Sequence, residues 1–230
     1  MLALDWQAAI VAAGVSARFG ASDKLFADLC GVPVLRWSIE GMLSVPSVHP
    51  PILVVSSASE DPVRALLTDM GMTTGTVVVR GGARRRDSVE AAVRAASAEY
   101  VAVHDGARPL VAADLLGRVL AAAAGLAGAV PGTPLNDTIA MVDGSGRITG
   151  HPERSSLRAL QTPQVVRRAE WLAAAALDPA DVTDDSAMLA RLGLFCAAVE
   201  GDPANVKITR PADLMLARAL LRERGTPCSG

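Results

Sequence analysis

The sequence predicts an α/β protein: a Rossmann-like, mostly parallel sheet with helices on both faces, plus a protruding β-arm used in dimerisation. Three observations predict it. Short apolar runs of strand length alternate with helix-length segments. The strand candidates are apolar throughout, as expected of parallel strands buried on both faces. The rhythm then stops after Pro131, where two short segments flank Gly144, Ser145 and Gly146.

Strand candidates fall at residues 8–12, 52–56, 76–79, 101–104 and 128–131. Helix candidates lie between them at 33–43, 61–70, 87–98 and 112–124. Pro33 and Pro62 suit first-turn positions, where a missing N–H costs little. Segments 135–142 and 147–151 read as the two strands of the arm. Such a hairpin is marginal alone, and its Ile139, Met141, Val142 and Ile148 want a partner surface, which favours a homodimer. Helices return at 167–177, 184–191 and 211–222, with strands at 194–199 and 206–208. Asp184 and Asp185 read as first-turn helix groups capped by Thr183. Residues 225–230 read as a loose tail.

The chain has 230 residues, enough for a sizeable core, and 50% hydrophobic with 20% charged residues is a globular composition. Aromatic residues are only 3% and the net charge is −2, so neither base stacking nor phosphate neutralisation along a polynucleotide is expected. No apolar stretch reaches bilayer length, and Asp5 and Gln7 interrupt the first residues, so a secretory signal is not expected. Cys30, Cys196 and Cys228 have no metal-ligand spacing and read as reduced cysteines of a cytoplasmic protein.

The first strand runs into a small-residue loop holding Gly14, Arg18, Gly20 and Lys24. Small residues let backbone approach a ligand, and two cations select an anion. The loop is not a dinucleotide fingerprint: Ser16 stands at the second glycine's place, and Ser56 and Ser57 stand where the ribose acid belongs. It is not a P-loop, because Gly20 is not followed by Lys and Ser or Thr. Taken alone, it reads as a solvated turn. Four further segments shift the balance, since each follows or borders a strand candidate and can reach the same sheet edge. They are GGARRRDS from Gly81, VHDGARP from Val103, TPQ from Thr162 and NVKIT from Asn205. Most of the Arg84, Arg85 and Arg86 run reads as a solvated face, with at most one of them on a phosphate. His104 reads as a packed, hydrogen-bonded core histidine. No Ser-His-Asp or Cys-His pairing is expected.

Together these segments resemble the 2-C-methyl-D-erythritol 4-phosphate cytidylyltransferases of isoprenoid synthesis, in the family's order from about Ala8 to Leu221. NDTI from Asn136 and TDDS from Thr183 belong to the same series. Ser16 for glycine, Gly106 for alanine and the DKLF context of Lys24 depart from the family pattern. Gly106 gives space.

The resemblance implies a single nucleotidyltransferase domain over residues 1–230, with a β-arm insertion at about 134–154. It implies CMP transfer from CTP to 2-C-methyl-D-erythritol 4-phosphate with release of pyrophosphate. Arg18, Lys24 and Lys207 would be catalytic. Ala12, Ala13, Gly14, Ser16, Gly82, Ala83, Ser88, Asp105 and Gly106 would bind the nucleotide. Arg108, Thr138, Arg154, Thr162 and Thr183 would bind the acceptor, with Thr138 and Arg154 reaching the partner's site. Mg²⁺ would be held mainly through the CTP phosphates, with no dedicated protein ligands. Two alternatives stand beside this reading: a ribitol-5-phosphate cytidylyltransferase, and a nucleotide-binding module without catalysis.

Overall fold

The computed structural model describes residues 4–14, 19, 23–177, 182 and 184–228. Strand β1 (Trp6–Ala12) leads to a hairpin of β2 (Asp28–Leu29) and β3 (Val32–Pro33), then to α1 (Val34–Leu43). Next come β4 (Ile52–Val55), α2 (Glu60–Asp69), β5 (Val77–Arg80), α3 (Arg85–Ala95), β6 (Tyr100–Asp105), α4 (Ala113–Ala123) and β7 (Gly128–Pro134). The arm strands β8 (Met141–Val142) and β9 (Ile148–Gly150) follow, then β10 (Arg158–Leu160), β11 (Gln164–Arg167), α5 (Arg168–Leu177), α6 (Asp185–Ala190), β12 (Cys196–Glu200) and α7 (Pro211–Glu223).

Strands β6, β1, β4 and β5 lie side by side and parallel. Strand β11 inserts antiparallel between β6 and β7, β10 pairs antiparallel with the far end of β7, and β12 is parallel to β7. The mostly parallel sheet is therefore observed, with an antiparallel insertion that the sequence hid. Segment 158–167 carries Arg158, Gln161, Gln164 and Arg167, which mask its strand pattern.

The pleat divides two cores. Ala8, Ile10 and Ala12 of β1 join Leu53, Val55, Tyr100 and Ala102 beneath α1, α2, α4 and α7. Ala9, Ile52, Val54, Val101 and Val103 face the other way, onto α3, α5 and α6. Each fully buried Leu, Ile or Val contributes roughly 1.5–3 kcal/mol relative to exposure. Among the described residues no helix is long and apolar enough to cross a membrane.

Several local expectations are corrected. Residues 206–208 form no strand; the segment is held by single contacts such as Ile208 N–H to the Ala107 carbonyl at 2.8 Å. The arm ladder is confined to β8 and β9, leaving Met141, Val142 and Ile148 exposed. Pro33 caps α1 rather than opening it. The cap of α6 is Asp184, whose carboxylate accepts from Ser186 N and Ala187 N; Thr183 lies outside the described residues. A chain of Asp5, His49 and Ser97 does exist, at 2.6 and 3.0 Å. It precedes β1, β4 and β6, at the end of the sheet remote from their carboxyl termini. There it clasps three turns, with Asp5 also accepting Glu99 N–H.

The cysteine expectation is overturned in part. Cys30 and Cys228 form a disulfide across 198 residues of sequence. Cys30 and Gly31 make a two-residue hairpin turn, both with positive φ (56° and 86°), as a primed turn requires. Helix α7 contacts β2 and returns the tail to that turn, so residues 225–228 are tied down rather than loose. Cys196 stays free, its thiol pushed up to about 11 by burial and then by Asp184.

A buried polar chain joins β6 to β11 and to the segment before α7. Asp105 N–H donates to Thr162 Oγ1 at 3.0 Å, and the Thr162 hydroxyl meets His104 Nδ1 at 3.0 Å. His104 Nε2 faces the Arg108 carbonyl at 3.0 Å, which makes Nε2 the protonated nitrogen and Nδ1 the acceptor. Asn205 Nδ2 donates to the Thr162 carbonyl and Arg108 Nη1 to the Asn205 carbonyl, both at 2.7 Å. His104 is thus the packed core histidine the sequence indicated.

Two outcomes follow from these ties. The chain-entropy limit for closing so long a loop is on the order of 5 kcal/mol. Adding reductant should therefore lower the urea midpoint of the native chain, and Cys228→Ser should show the lowered midpoint with or without reductant. Burial holds His104 at about 4, below its ordinary 6.5. The unfolded chain therefore takes up this proton first, and His104 costs nothing above pH 6.5 but progressively more toward pH 4. The slope is about 1.4 kcal/mol per pH unit within that window. His104→Gln should flatten the stability profile there by up to about 3 kcal/mol, read from urea unfolding at several pH values.

Candidate active site

Four loops leave the carboxyl ends of the parallel strands and surround a cavity of about 420 Å³. Ala13 and Gly14 follow β1, Ser56 and Ser57 follow β4, residues 81–85 and Ser88 follow β5, and Gly106 and Ala107 follow β6. Strands β1 and β6 are neighbours, yet their next strands lie on opposite sides of the pair. The crevice between their loops is the topological switch point, where open α/β sheets hold ligands.

The glycine-rich loop packs without slack. A Cβ on Gly81 would lie 2.5 Å from Ser88 Oγ and 2.7 Å from Ala13 Cβ, and one on Gly82 would lie 2.5 Å from Asp87 Cβ. Glycine here lets bare backbone form the cavity wall. At Gly106 a Cβ would sit 3.0 Å from Leu35 Cδ1, so glycine relieves a close approach. Helix α3 starts directly behind this wall. Asp87 accepts Arg84 N–H at 3.1 Å, completing its first turn, and its amino end adds positive potential.

Among the described residues, four cations, Lys24, Arg84, Arg85 and Lys207, line the cavity against a single carboxylate, Asp105. Lys207 Nζ lies 2.7 Å from Asp105 Oδ2. Arg108 Nε approaches the same oxygen at 3.7 Å, and Arg85 Nε approaches Oδ1 at 3.8 Å. Burial alone would push the Asp105 carboxyl up, but Lys207, Arg85 and Arg108 outweigh it and hold it well below the usual carboxylate range. Asp105 is ionised at any working pH.

Ala12, Ala13, Gly14, Lys24, Gly82, Ala83, Ser88, Asp105, Gly106 and Lys207 come together at this cavity. Arg108 and Thr162 stand behind Asp105 rather than on the wall, in the buried chain described above. Thr138 and Arg154 are exposed and do not line it; Arg154 Nη1 donates to the Asn136 carbonyl at 2.6 Å. Arg18, Ser16 and Thr183 lie outside the described residues.

The arginine run is not a solvated face. Arg84 pairs with Asp87 at 2.7 Å, whereas Arg86 is buried and donates to the Ala175 carbonyl at 3.0 Å. Arg85 donates to buried Asp185 at 2.8 Å. The sequence predicts this helix from residue 87, whereas α3 begins at Arg85; Arg85 and Arg86 therefore point about 100° apart and do not share one face. The partner of Arg85, one hundred residues away, had no local signal.

The family model described as 2-C-methyl-D-erythritol 4-phosphate cytidylyltransferase (IspD) matches residues 7–223. A protein of that name from Rhodococcus opacus (strain B4) is 40% identical over 219 residues, covering 94% of this chain and 95% of the relative. Another, from Prochlorococcus marinus (strain MIT 9313), is 38% identical over 221 residues, covering 94% and 97%. The crystal structure of 2-C-methyl-D-erythritol 4-phosphate cytidylyltransferase from Thermus thermophilus superposes with a TM-score of 0.78 at 33% identity, covering 95% of this chain and 100% of that one. With the cavity at the switch point and its ordered motifs, this places the chain in the 2-C-methyl-D-erythritol 4-phosphate cytidylyltransferase family.

Proposed function

We propose that the chain transfers CMP from CTP to 2-C-methyl-D-erythritol 4-phosphate, forming 4-diphosphocytidyl-2-C-methyl-D-erythritol and pyrophosphate in isoprenoid precursor synthesis. The observation that carries this reading is a switch-point cavity whose described lining sets four cations against one carboxylate, in a chain of this family. The nucleophile is a phosphate monoester, largely dianionic at neutral pH because its second pKa is near 6. One of its oxygens forms a bond to the α-phosphorus. The bond from that phosphorus to the bridging oxygen breaks, and pyrophosphate leaves with the electron pair.

No proton has to be removed from the nucleophile. A cavity whose described lining holds neither histidine nor thiol suits this chemistry. The obstacle is the meeting of two anions, and oriented cations lower it. Lys24, with Arg18, takes the triphosphate. Lys207 serves the α-phosphate and the incoming phosphate. The backbone at Gly82 and Ala83 and the Ser88 hydroxyl read the cytosine edge, and Asp105 accepts from the ribose. Ala12, Ala13, Gly14, Ser16 and Gly106 give the nucleotide close approach to main chain. Thr162 and Arg108 hold Asp105 and the Lys207 segment from behind, and Thr183 would contact the acceptor.

Mg²⁺ fits this site as an ion carried by the nucleotide. Asp105, the single carboxylate among the described wall residues, already faces three cations, and the described residues contain no cluster of three metal-ligating side chains. Triphosphate oxygens and water would supply its coordination, and it would neutralise charge on the leaving group. The reading places the chain in the cytoplasm, with the nucleotide pool. We also propose a homodimer through the arm, with Thr138 and Arg154 gripping the acceptor phosphate in the partner's site. Exposed Met141, Val142 and Ile148 supply the apolar face that such pairing would cover.

A pyrophosphate-release assay tests the activity. Turnover is expected with CTP, Mg²⁺ and 2-C-methyl-D-erythritol 4-phosphate, and much less with ribitol 5-phosphate. Replacing CTP by UTP leaves cytosine-reading groups unpaired, at ~1–3 kcal/mol each, so UTP should be about 5- to 150-fold poorer. Comparable turnover with UTP or ribitol 5-phosphate would overturn the substrate assignment.

Subunit mixing tests the shared site. Lys24→Ala should lose about a hundred- to a thousandfold in turnover, as when a transition-state donor is removed. Arg154→Ala should disable its partner's site instead. After exchange, about half the dimers are mixed and each holds one intact site, so about a quarter of native activity should return. No recovery after verified exchange would mean that the arm serves its own chain.

A further inference from the structure

Asp185 of the TDDS segment and the second arginine of GGARRRDS, Arg85, have no individual task in the chemistry above, yet the fold pairs them, with Arg85 on the cavity wall. Asp185 is 1% exposed. One of its oxygens accepts from Trp171 Nε1 at 3.2 Å, and its backbone N–H donates to Gln164 Oε1 at 2.9 Å. Its other oxygen accepts from Arg85 Nη2 at 2.8 Å. The same guanidinium presents Nε to Asp105 Oδ1 at 3.8 Å, while Lys207 and Arg108 face Oδ2. The two oxygens of Asp105 are therefore divided between different cations.

We propose that Arg85 is a positioning residue for the transfer reaction: anchored by Asp185, it fixes one oxygen of Asp105 so that the other is left to orient Lys207. This rests on the reading of the site given above. The geometry has a specific logic. The planar guanidinium can span two carboxylates on different elements, which a single ammonium cannot do. Asp185 is the shorter and more buried partner, so it sets where Arg85 stands. Arg85 also opens α3, directly after the glycine-rich wall, so its anchorage fixes that wall against β6. Without Asp185, Arg85 would be drawn onto Asp105 and compete with Lys207 for it.

A double-mutant cycle tests this. Arg85→Gln, Asp185→Asn and the double variant are compared for kcat at saturating substrates, for CTP affinity by calorimetry without acceptor, and for thermal midpoint. Each single variant should lose about a hundredfold in kcat, the scale of a small misplacement of reacting groups. CTP affinity should stay within about threefold. The double variant should be no slower than the worse single variant, because both changes break one link. Arg85→Lys should recover little of the loss.

The double variant removes both charges of the buried pair, so it keeps the test open if Asp185→Asn alone folds poorly. Three results would overturn the proposal. Losses that multiply would show independent roles. A tenfold or larger loss of CTP affinity with unchanged kcat would make Arg85 a nucleotide ligand. A lowered thermal midpoint with native kcat would make the pair structural only. Turnover by the native chain is read in the same assay, so failure of the proposed activity is seen separately from failure of this link.

Discussion

The carboxylate of Asp105 is the interaction on which the cavity depends. Lys207, Arg108 and Arg85 all lie within 4 Å of it. Cations gathered around one group repel one another, and more strongly where water is excluded. One buried anion at their centre turns that repulsion into a stable cluster. The group that makes the cluster tolerable also orients it, and an arriving polyanion meets cations already aimed.

The residue that carries this anion is itself held by a chain of hydrogen bonds. The Asp105 backbone is fixed by Thr162, Thr162 by His104 and Asn205, and Asn205 by Arg108. The Thr162 links are buried hydrogen bonds, so losing one strands a donor or acceptor away from water, which costs about 1–3 kcal/mol. Through these links three distant stretches of chain meet at one carboxylate: the end of β6, the start of β11 and the segment before α7.

The mostly parallel sheet was legible because its central strands are largely apolar and their loops begin with small residues. The wall of the cavity was legible for the same reason, since Gly81, Gly82 and Gly106 mark close approaches. Lys24 and Lys207 were legible only through their motifs. What stayed hidden was long-range pairing. Strands β10 and β11 are interrupted by arginine and glutamine, Cys30 and Cys228 stand at opposite ends, and Arg85 finds its partner in α6. Local pattern reports which face a residue occupies, but not which distant residue meets it there.

The Cys30–Cys228 bond has a topological consequence. It closes residues 30 to 228 into a covalent ring, from which the strand β1, the Lys24 loop and β2 emerge as a short branch. A single cut in the ring leaves one connected molecule, because the fragments stay joined at the hairpin tip. A cut between β1 and Cys30 instead leaves β1, an inner strand of the sheet, with no covalent tie to the ring. The chain is therefore covalently forgiving over most of its length and vulnerable in the stretch between β1 and Cys30 that carries Lys24.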